Sequence, residues 1–120
     1  MIDQETYGKL LLETFETVTT LSKLKGGEYS SDYDRLANFR RNGERLKLPM
    51  EIIWAVYAGK HWDAIGQYCA DILQGTTRLR METLAGRADD LIVYLILFKA
   101  MLIERERTND PAFVEREHGQ

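Results

Sequence analysis

One stretch near the carboxyl end of the chain limits the fold more than any other. From Leu91 to Ile103 the only charged residue is Lys99, so a helix formed here has apolar side chains on every side. Such a helix is buried among other helices or at a subunit contact. It is too short to cross a bilayer, which takes roughly 20 apolar residues. The segment therefore predicts a helical protein that is completed by homo-oligomerisation.

The first helix is predicted near the amino terminus. Asp3 is a suitable N-cap, and Gly26-Gly27 predicts an end near Lys25. Apolar residues recur along it at helical spacing and form one stripe. The stripe consists of Tyr7, Leu11, Phe15, Val18 and Leu21.

Two more helices are predicted before the apolar segment. A short helix carries Leu36 and Phe39 and stops near Gly43, and a long one covers residues 49–73, with Gly75 as its stop signal. The fold class is thus all-α, a helical bundle of three long helices and at least one short one. We expect one domain over residues 1–107, followed by a polar tail over 108–120.

Charge and composition exclude several classes of function. The 16 basic and 19 acidic residues are interspersed and give a formal net charge of −3, so there is no strong nucleic-acid signal and no sign of membrane binding. The single cysteine excludes an internal disulfide and suits a reducing compartment. The first residues lack a signal-peptide pattern. We expect a cytoplasmic protein.

Two carboxylates, Asp89 and Asp90, stand at the start of the apolar helix. At about 100° per residue, Asp90 shares a face with Arg87 and Tyr94. A carboxylate directed into an apolar core is costly unless it is paired or binds a cation. Two interpretations stay open: Arg87 and Tyr94 satisfy Asp90, or Asp90 belongs to a functional site.

Two other patterns also have a structural and a functional interpretation. Glu13 and Glu16 are three residues apart, a spacing that lets two carboxylates of one helix reach one metal ion. They project away from the apolar stripe, so they also fit a solvated acidic face. His61 lies at the centre of the inward face of the long helix over residues 49–73, where it is either a hydrogen-bonded core residue or a functional group.

The remaining polar residues favour a nucleotide site. No P-loop, Cys-x-x-Cys, His-Glu-x-x-His or nucleophile-elbow motif is present in the sequence. Oxygen ligands from several helices suit Mg²⁺, which completes its shell with water and substrate phosphates. Lys60 and Arg87 would neutralise phosphate charge. The residues assigned to ligand binding are Lys60, Arg87, Asn38 and Tyr94.

Four segments of the chain, at residues 25–29, 34–39, 60–65 and 87–97, resemble in order and spacing a group of small phage-encoded proteins. The resemblance extends from about residue 21 to residue 103. It implies a phage protein that works in the cytoplasm of the host cell.

More remotely, the layout resembles the MazG-like all-α nucleoside triphosphate pyrophosphatases. These are Mg²⁺-dependent oligomers that cleave (d)NTPs to a monophosphate and pyrophosphate, with an E-x-x-E pair on one helix and E-x-x-D on a later one. The second pair is incomplete here, because Gly86 stands three residues before Asp89, and Glu28 or Glu82 would have to substitute. The resemblance implies a magnesium site formed by Glu13, Glu16, Glu28, Asp89 and Asp90.

The leading hypothesis is a phage-type nucleotide-binding protein, for which Mg²⁺-dependent (d)NTP pyrophosphohydrolysis is a candidate activity. Asp90, Glu28 and His61 would form its catalytic set, holding the metal and orienting a water, while Lys60 and Arg87 stabilise charge on the phosphates. The alternative is a non-enzymatic phage effector that sequesters a host protein or a signalling nucleotide. A purely structural oligomerisation module is the third interpretation.

Overall fold

The computed structural model describes residues 1–29 and 34–108, and the side chains of all of these except Glu28 and Tyr29. Four helices follow one another: α1 (Gln4–Tyr29), α2 (Ala37–Leu46), α3 (Met50–Gln74) and α4 (Leu84–Arg107). This part of the chain contains no strand, which confirms the all-α class. None of its helices is long and apolar enough to cross a membrane. From residue 109 onward, the predicted polar tail lies outside the described residues.

Helix α1 begins where the sequence predicts and ends later. Asp3 Oδ1 accepts a hydrogen bond of 2.7 Å from the backbone N–H three residues on, as an N-cap does. The predicted end at Gly26-Gly27 is wrong, because α1 continues to Tyr29. A Cβ added at Gly26 would lie 2.8 Å from Nε of Arg35, whose guanidinium also donates to the carbonyl oxygen of Ser22 at 2.8 Å. The glycine therefore permits close packing and does not stop the helix.

Helix α2 also runs past its predicted stop. Gly43 is buried inside the helix, and the turn comes at Lys47, which adopts a left-handed φ of 58°. A Cβ at Gly43 would lie 2.6 Å from the carbonyl oxygen of Leu48, whose N–H donates to the Gly43 carbonyl at 2.8 Å. The prediction that Gly43 ends the helix is wrong, since this glycine lets the following chain fold back against α2.

Helices α3 and α4 match their predicted positions closely. α3 ends at Gln74 and Gly75 follows in the left-handed conformation, with φ 69°, as expected for a glycine stop. α4 begins at Leu84, where the Thr83 hydroxyl caps it by accepting a 3.0 Å hydrogen bond from the N–H of Gly86. That cap fixes where the residues at the start of α4 lie.

Helix α4 holds the fold together. Both α1 and α3 pack on it, and α2 packs on α3. Trp54 Nε1 donates to the carbonyl oxygen of Tyr94 at 2.7 Å, and Arg40 binds Glu104 at 2.7 Å, which ties α2 to α4. The core is formed by Val18, Leu36, Phe39, Met50, Ile53, Val93, Leu97 and Met101.

The apolar segment of α4 is covered on one side only. Val93, Leu97 and Met101 are buried, whereas Leu95, Ile96 and Ile103 are each 49% exposed. Within one chain the described helices therefore leave part of α4 open to solvent.

The connection between α3 and α4 is fixed by one buried carboxylate. The side chain of Asp71 is only 3% exposed and accepts hydrogen bonds from Arg78 at 2.7 Å and from Arg80 at 2.9 Å. Gln67 donates to the same carboxylate at 3.0 Å. These guanidinium groups hold the pKa of Asp71 down to about 2. We call Asp71 with these three partners the Asp71 clamp. It fixes the segment between α3 and α4, and so the part of the chain that leads to Glu82.

Candidate binding site

A cavity of about 500 Å³ opens between the end of α1, the middle of α3 and the start of α4. Pockets of this volume take small ligands. Six of its lining residues were assigned to the site from sequence: Asn38, Lys60, His61, Arg87, Asp90 and Tyr94. The other three are Lys25, Tyr57 and Glu82. Residues that lie up to 69 positions apart in the chain, Lys25 and Tyr94, thus meet at one place.

Asp90 is paired across the helix interface. Lys25 Nζ lies 3.1 Å from Asp90 Oδ1, and His61 Nδ1 lies 3.8 Å from Oδ2, which is too far for a hydrogen bond. The sequence left open whether Arg87 and Tyr94 satisfy this carboxylate. The structure gives Lys25 as its partner, so α1 and α4 are joined by an ion pair on the cavity wall.

His61 is buried, at 7% exposure, and hydrogen-bonded. Arg87 Nη1 lies 3.2 Å from His61 Nδ1. Because a guanidinium only donates, Nδ1 accepts and the neutral ring carries its proton on Nε2. Burial lowers the pKa of His61, the Asp90 charge opposes this, and the Arg87 and Lys25 charges reinforce it. The pKa of His61 is lowered overall, so at neutral pH its ring is uncharged where it lines the cavity.

Cationic side chains outnumber carboxylates around the cavity. Arg87 Nε lies 3.3 Å from Glu82 Oε2, and Lys25 is held by Asp90 as described. Lys60 is exposed and forms no ion pair with any residue that the structure describes. The cavity therefore contains two cations held in place by carboxylates and a third whose charge the described residues leave uncompensated.

Aromatic rings and an amide form the rest of the wall. The centroids of the Tyr94 and His61 rings lie 5.4 Å apart. Lys25 Nζ lies 5.7 Å from the centroid of the Tyr94 ring. Asn38 Oδ1 accepts a 3.1 Å hydrogen bond from Asn42. The NH₂ group of Asn38 is then the donor that a ligand would meet. Cationic side chains, an amide and aromatic rings thus share one cavity.

The proposed magnesium ligands are not brought together in the same way. Among those whose side chains the structure describes, only Asp90 lines the cavity, while Glu13 and Glu16 are exposed on α1 and Asp89 lies outside the lining. The side chain of Glu28 is outside the described part of the chain. Over residues 1–29 and 34–108, no group of three or more His, Cys, Asp or Glu side chains is placed to hold a metal ion. The magnesium site stays a prediction.

Three lining residues were missed by the sequence reasoning. Lys25 was taken as a helix end, yet it continues the spacing of the apolar stripe after Val18 and Leu21. A charge on an apolar stripe is a detectable signal. Tyr57 lies four residues before His61 on α3 and packs against the core, so its spacing is that of a core residue. Glu82 entered only as a substitute metal ligand, and its contact with Arg87 depends on the path of a loop, which periodicity does not reveal.

A second cleft of about 470 Å³ lies beside the end of α4. Its two arginines are paired within the protein, because Arg40 binds Asp34 and Glu104 and Arg105 binds Glu51, and its lining also contains Glu44 and Lys47. Among the described residues that line this cleft there is no aromatic ring and no side-chain amide, whereas the cavity around Arg87 has both.

The cavity around Arg87 therefore suits an anion that also carries a polar, planar group. Its cations can bind charged oxygens, and its amide and rings can contact the remainder of the ligand. Comparisons of the chain with models of known families, with curated proteins and with solved structures found no match.

Proposed function

We propose that the protein binds a nucleotide or a nucleotide-like phosphate compound in this cavity. The observation that carries the proposal is the meeting of Lys25, Lys60 and Arg87 in one cavity with Asn38 and two tyrosines. Phosphate oxygens are bound best by charged donors, and a guanidinium can offer two parallel N–H groups. A base needs a hydrogen-bonding edge and apolar contact, which Asn38 and the tyrosines would supply.

The charged groups of the cavity favour nucleotide binding that needs no metal ion. The Asp90 carboxylate lies 3.1 Å from Lys25, and the Glu82 carboxylate lies 3.3 Å from Arg87. Each cation is thereby held in position before a ligand arrives. Lysine has three N–H donors and arginine five, so both can bind phosphate without breaking these pairs. This favours a protein that captures a nucleotide over one that hydrolyses it.

Thermal shift measurements with a panel of nucleotides test the proposal. Nucleoside mono-, di- and triphosphates and cyclic nucleotides would each be added with Mg²⁺ or with EDTA, and unphosphorylated nucleosides serve as controls. A ligand at 100 times its Kd stabilises the folded state by about 2.7 kcal/mol, so the Tm should rise by several degrees, in EDTA as well. If no phosphate compound raises the Tm, the proposal is wrong.

Asp90→Asn separates metal-free capture from Mg²⁺-dependent hydrolysis. The substitution removes a negative charge from the cavity and frees Lys25, so phosphate affinity measured by calorimetry in EDTA should rise about 3- to 10-fold. Asp89→Asn is the matched control and should leave affinity unchanged, because Asp89 does not line the cavity. Loss of a Mg²⁺-dependent binding or turnover in Asp90→Asn would instead assign Asp90 to a metal, as the pyrophosphohydrolase hypothesis requires.

A further inference from the structure

The amino-terminal half of α1 presents an apolar surface to solvent. We call it the α1 stripe, and it consists of Tyr7, Leu10, Leu11 and Phe15, which are 51%, 53%, 56% and 73% exposed. None of these residues lines the cavity around Arg87. The surface therefore has no part in the proposed ligand site.

The α1 stripe continues a surface that is already an interface. Positions 7, 11, 14, 18 and 21 are spaced alternately by four and three residues, the pattern of helices that pack side by side. At the far end of this series, Val18 is buried and Leu21 packs against the core formed with α4. We call the series of positions 7, 11, 14, 18 and 21 the seam. It is thus packed against the core in the second half of the helix and exposed to solvent in the first half.

The charges of this segment do not obstruct a contact along the seam. At about 100° per residue, its charged side chains fall on the opposite face of the helix. Glu5 and Lys9 pair there with each other at 3.6 Å. Two copies of the seam can therefore meet without placing like charges against one another. The residues on the outer face are Glu5, Lys9, Glu13 and Glu16.

The exposed area is close to what a dimer requires. Large side chains have roughly 200 Å² of surface each, so at 51–73% exposure the four residues of the α1 stripe leave roughly 500 Å² open on each chain. The lower limit of stable interfaces is roughly 600 Å² per partner. Neighbouring atoms such as those of Thr14 would add the remainder. An uncovered helical segment of this length is marginal in water, so a covering partner also accounts for its helical structure.

We infer that the α1 stripe is the contact with a second copy of this chain. The two helices pack antiparallel about a two-fold axis near Leu11, which sets the Tyr7 end of one helix beside the Phe15 end of the other. A two-fold axis places the same patch of both subunits in contact. One self-complementary seam is therefore sufficient to form the dimer.

Sedimentation equilibrium of the full chain at micromolar concentrations tests this inference. The wild type is expected at twice the chain mass. Leu11→Glu places a charge at the centre of the seam and should raise the dimer Kd at least roughly 100-fold. Leu12→Glu is the matched control, because Leu12 is 71% exposed on the same helix but lies off the seam, and it should remain dimeric. A monomeric wild type, or a dimer that Leu12→Glu dissociates and Leu11→Glu does not, overturns the inference.

Cross-linking keeps the test independent of folding defects in the charged variant. In a Cys69→Ser background, Leu11→Cys should form a disulfide-linked dimer on mild oxidation, since residues beside a two-fold axis approach within disulfide distance. Leu12→Cys in the same background should stay monomeric on a non-reducing gel. Cross-linking at position 12 and none at position 11 would place the contact on another face and contradict the inference.

Discussion

Replacing Arg87 with glutamine is expected to weaken nucleotide binding roughly 30- to 100-fold, the largest loss that we expect from any cavity substitution. Arg87 contacts Glu82 through Nε at 3.3 Å and His61 through Nη1 at 3.2 Å. Its loss removes a charged donor and leaves both neighbours without their partner, and hydrogen bonds to charged groups contribute about 1.5–3 kcal/mol each. Calorimetric titration with the nucleotide that gives the largest thermal shift measures the change.

Two control variants make the Arg87 result interpretable. Arg87→Lys keeps the charge but cannot reach Glu82 and His61 together, so it should recover only part of the affinity. Arg41→Gln changes an exposed arginine of α2 that does not line the cavity, and its affinity should equal that of the wild type. An Arg87→Gln variant that is folded and binds normally would show that the ligand lies elsewhere.

Replacing Asp71 with asparagine is expected to cause the largest loss of stability among single polar substitutions. Asp71 is 3% exposed in the side chain and holds Arg78 at 2.7 Å and Arg80 at 2.9 Å. Removing one partner of a buried charge cluster leaves the others poorly compensated. We expect the Tm to fall by roughly 5–15 °C. Asp63→Asn, an exposed carboxylate on the same helix, should change it little.

The stabilising effect of the Asp71 clamp should depend on pH in one direction. The pKa of Asp71 is about 2 in the folded chain and 3.8 ordinarily, so the unfolded state binds the proton more readily. The contribution is complete above pH 3.8 and is lost as the pH falls from there towards 2. The free energy of unfolding, measured with denaturant at several pH values in this range, should therefore change less steeply with pH in Asp71→Asn than in the wild type. Equal slopes would contradict the assignment.

Much of the fold was predictable because helix signals are local. The N-cap at Asp3, the stop at Gly75 and the apolar segment of α4 were each read correctly from the sequence. The errors came from glycines with a tertiary role. Gly26 and Gly43 have ordinary helical backbone and are needed where Arg35 or the carbonyl oxygen of Leu48 comes close, and no local pattern reveals which neighbour approaches.

The site was predictable where one helix carries several of its residues. Arg87, Asp90 and Tyr94 share a face of α4, and helical spacing is sufficient to group them. The partner of Asp90 was not predictable in the same way, because Lys25 reaches it only through the crossing of α1 and α4. The assignment of Glu13 and Glu16 to a metal came from their three-residue spacing and from family resemblance. The structure places both on the exposed face of α1.

Nuclear magnetic resonance of the side-chain N–H groups during a nucleotide titration tests whether the ligand binds in the cavity around Arg87. We expect the signals of the Asn38 amide and of the Arg87 Nε–H to shift together and to saturate with one Kd, in the presence of EDTA. The Nε–H of Arg78, which the Asp71 clamp holds outside the cavity, should stay in place. Cavity signals that do not move while the nucleotide binds would contradict the account.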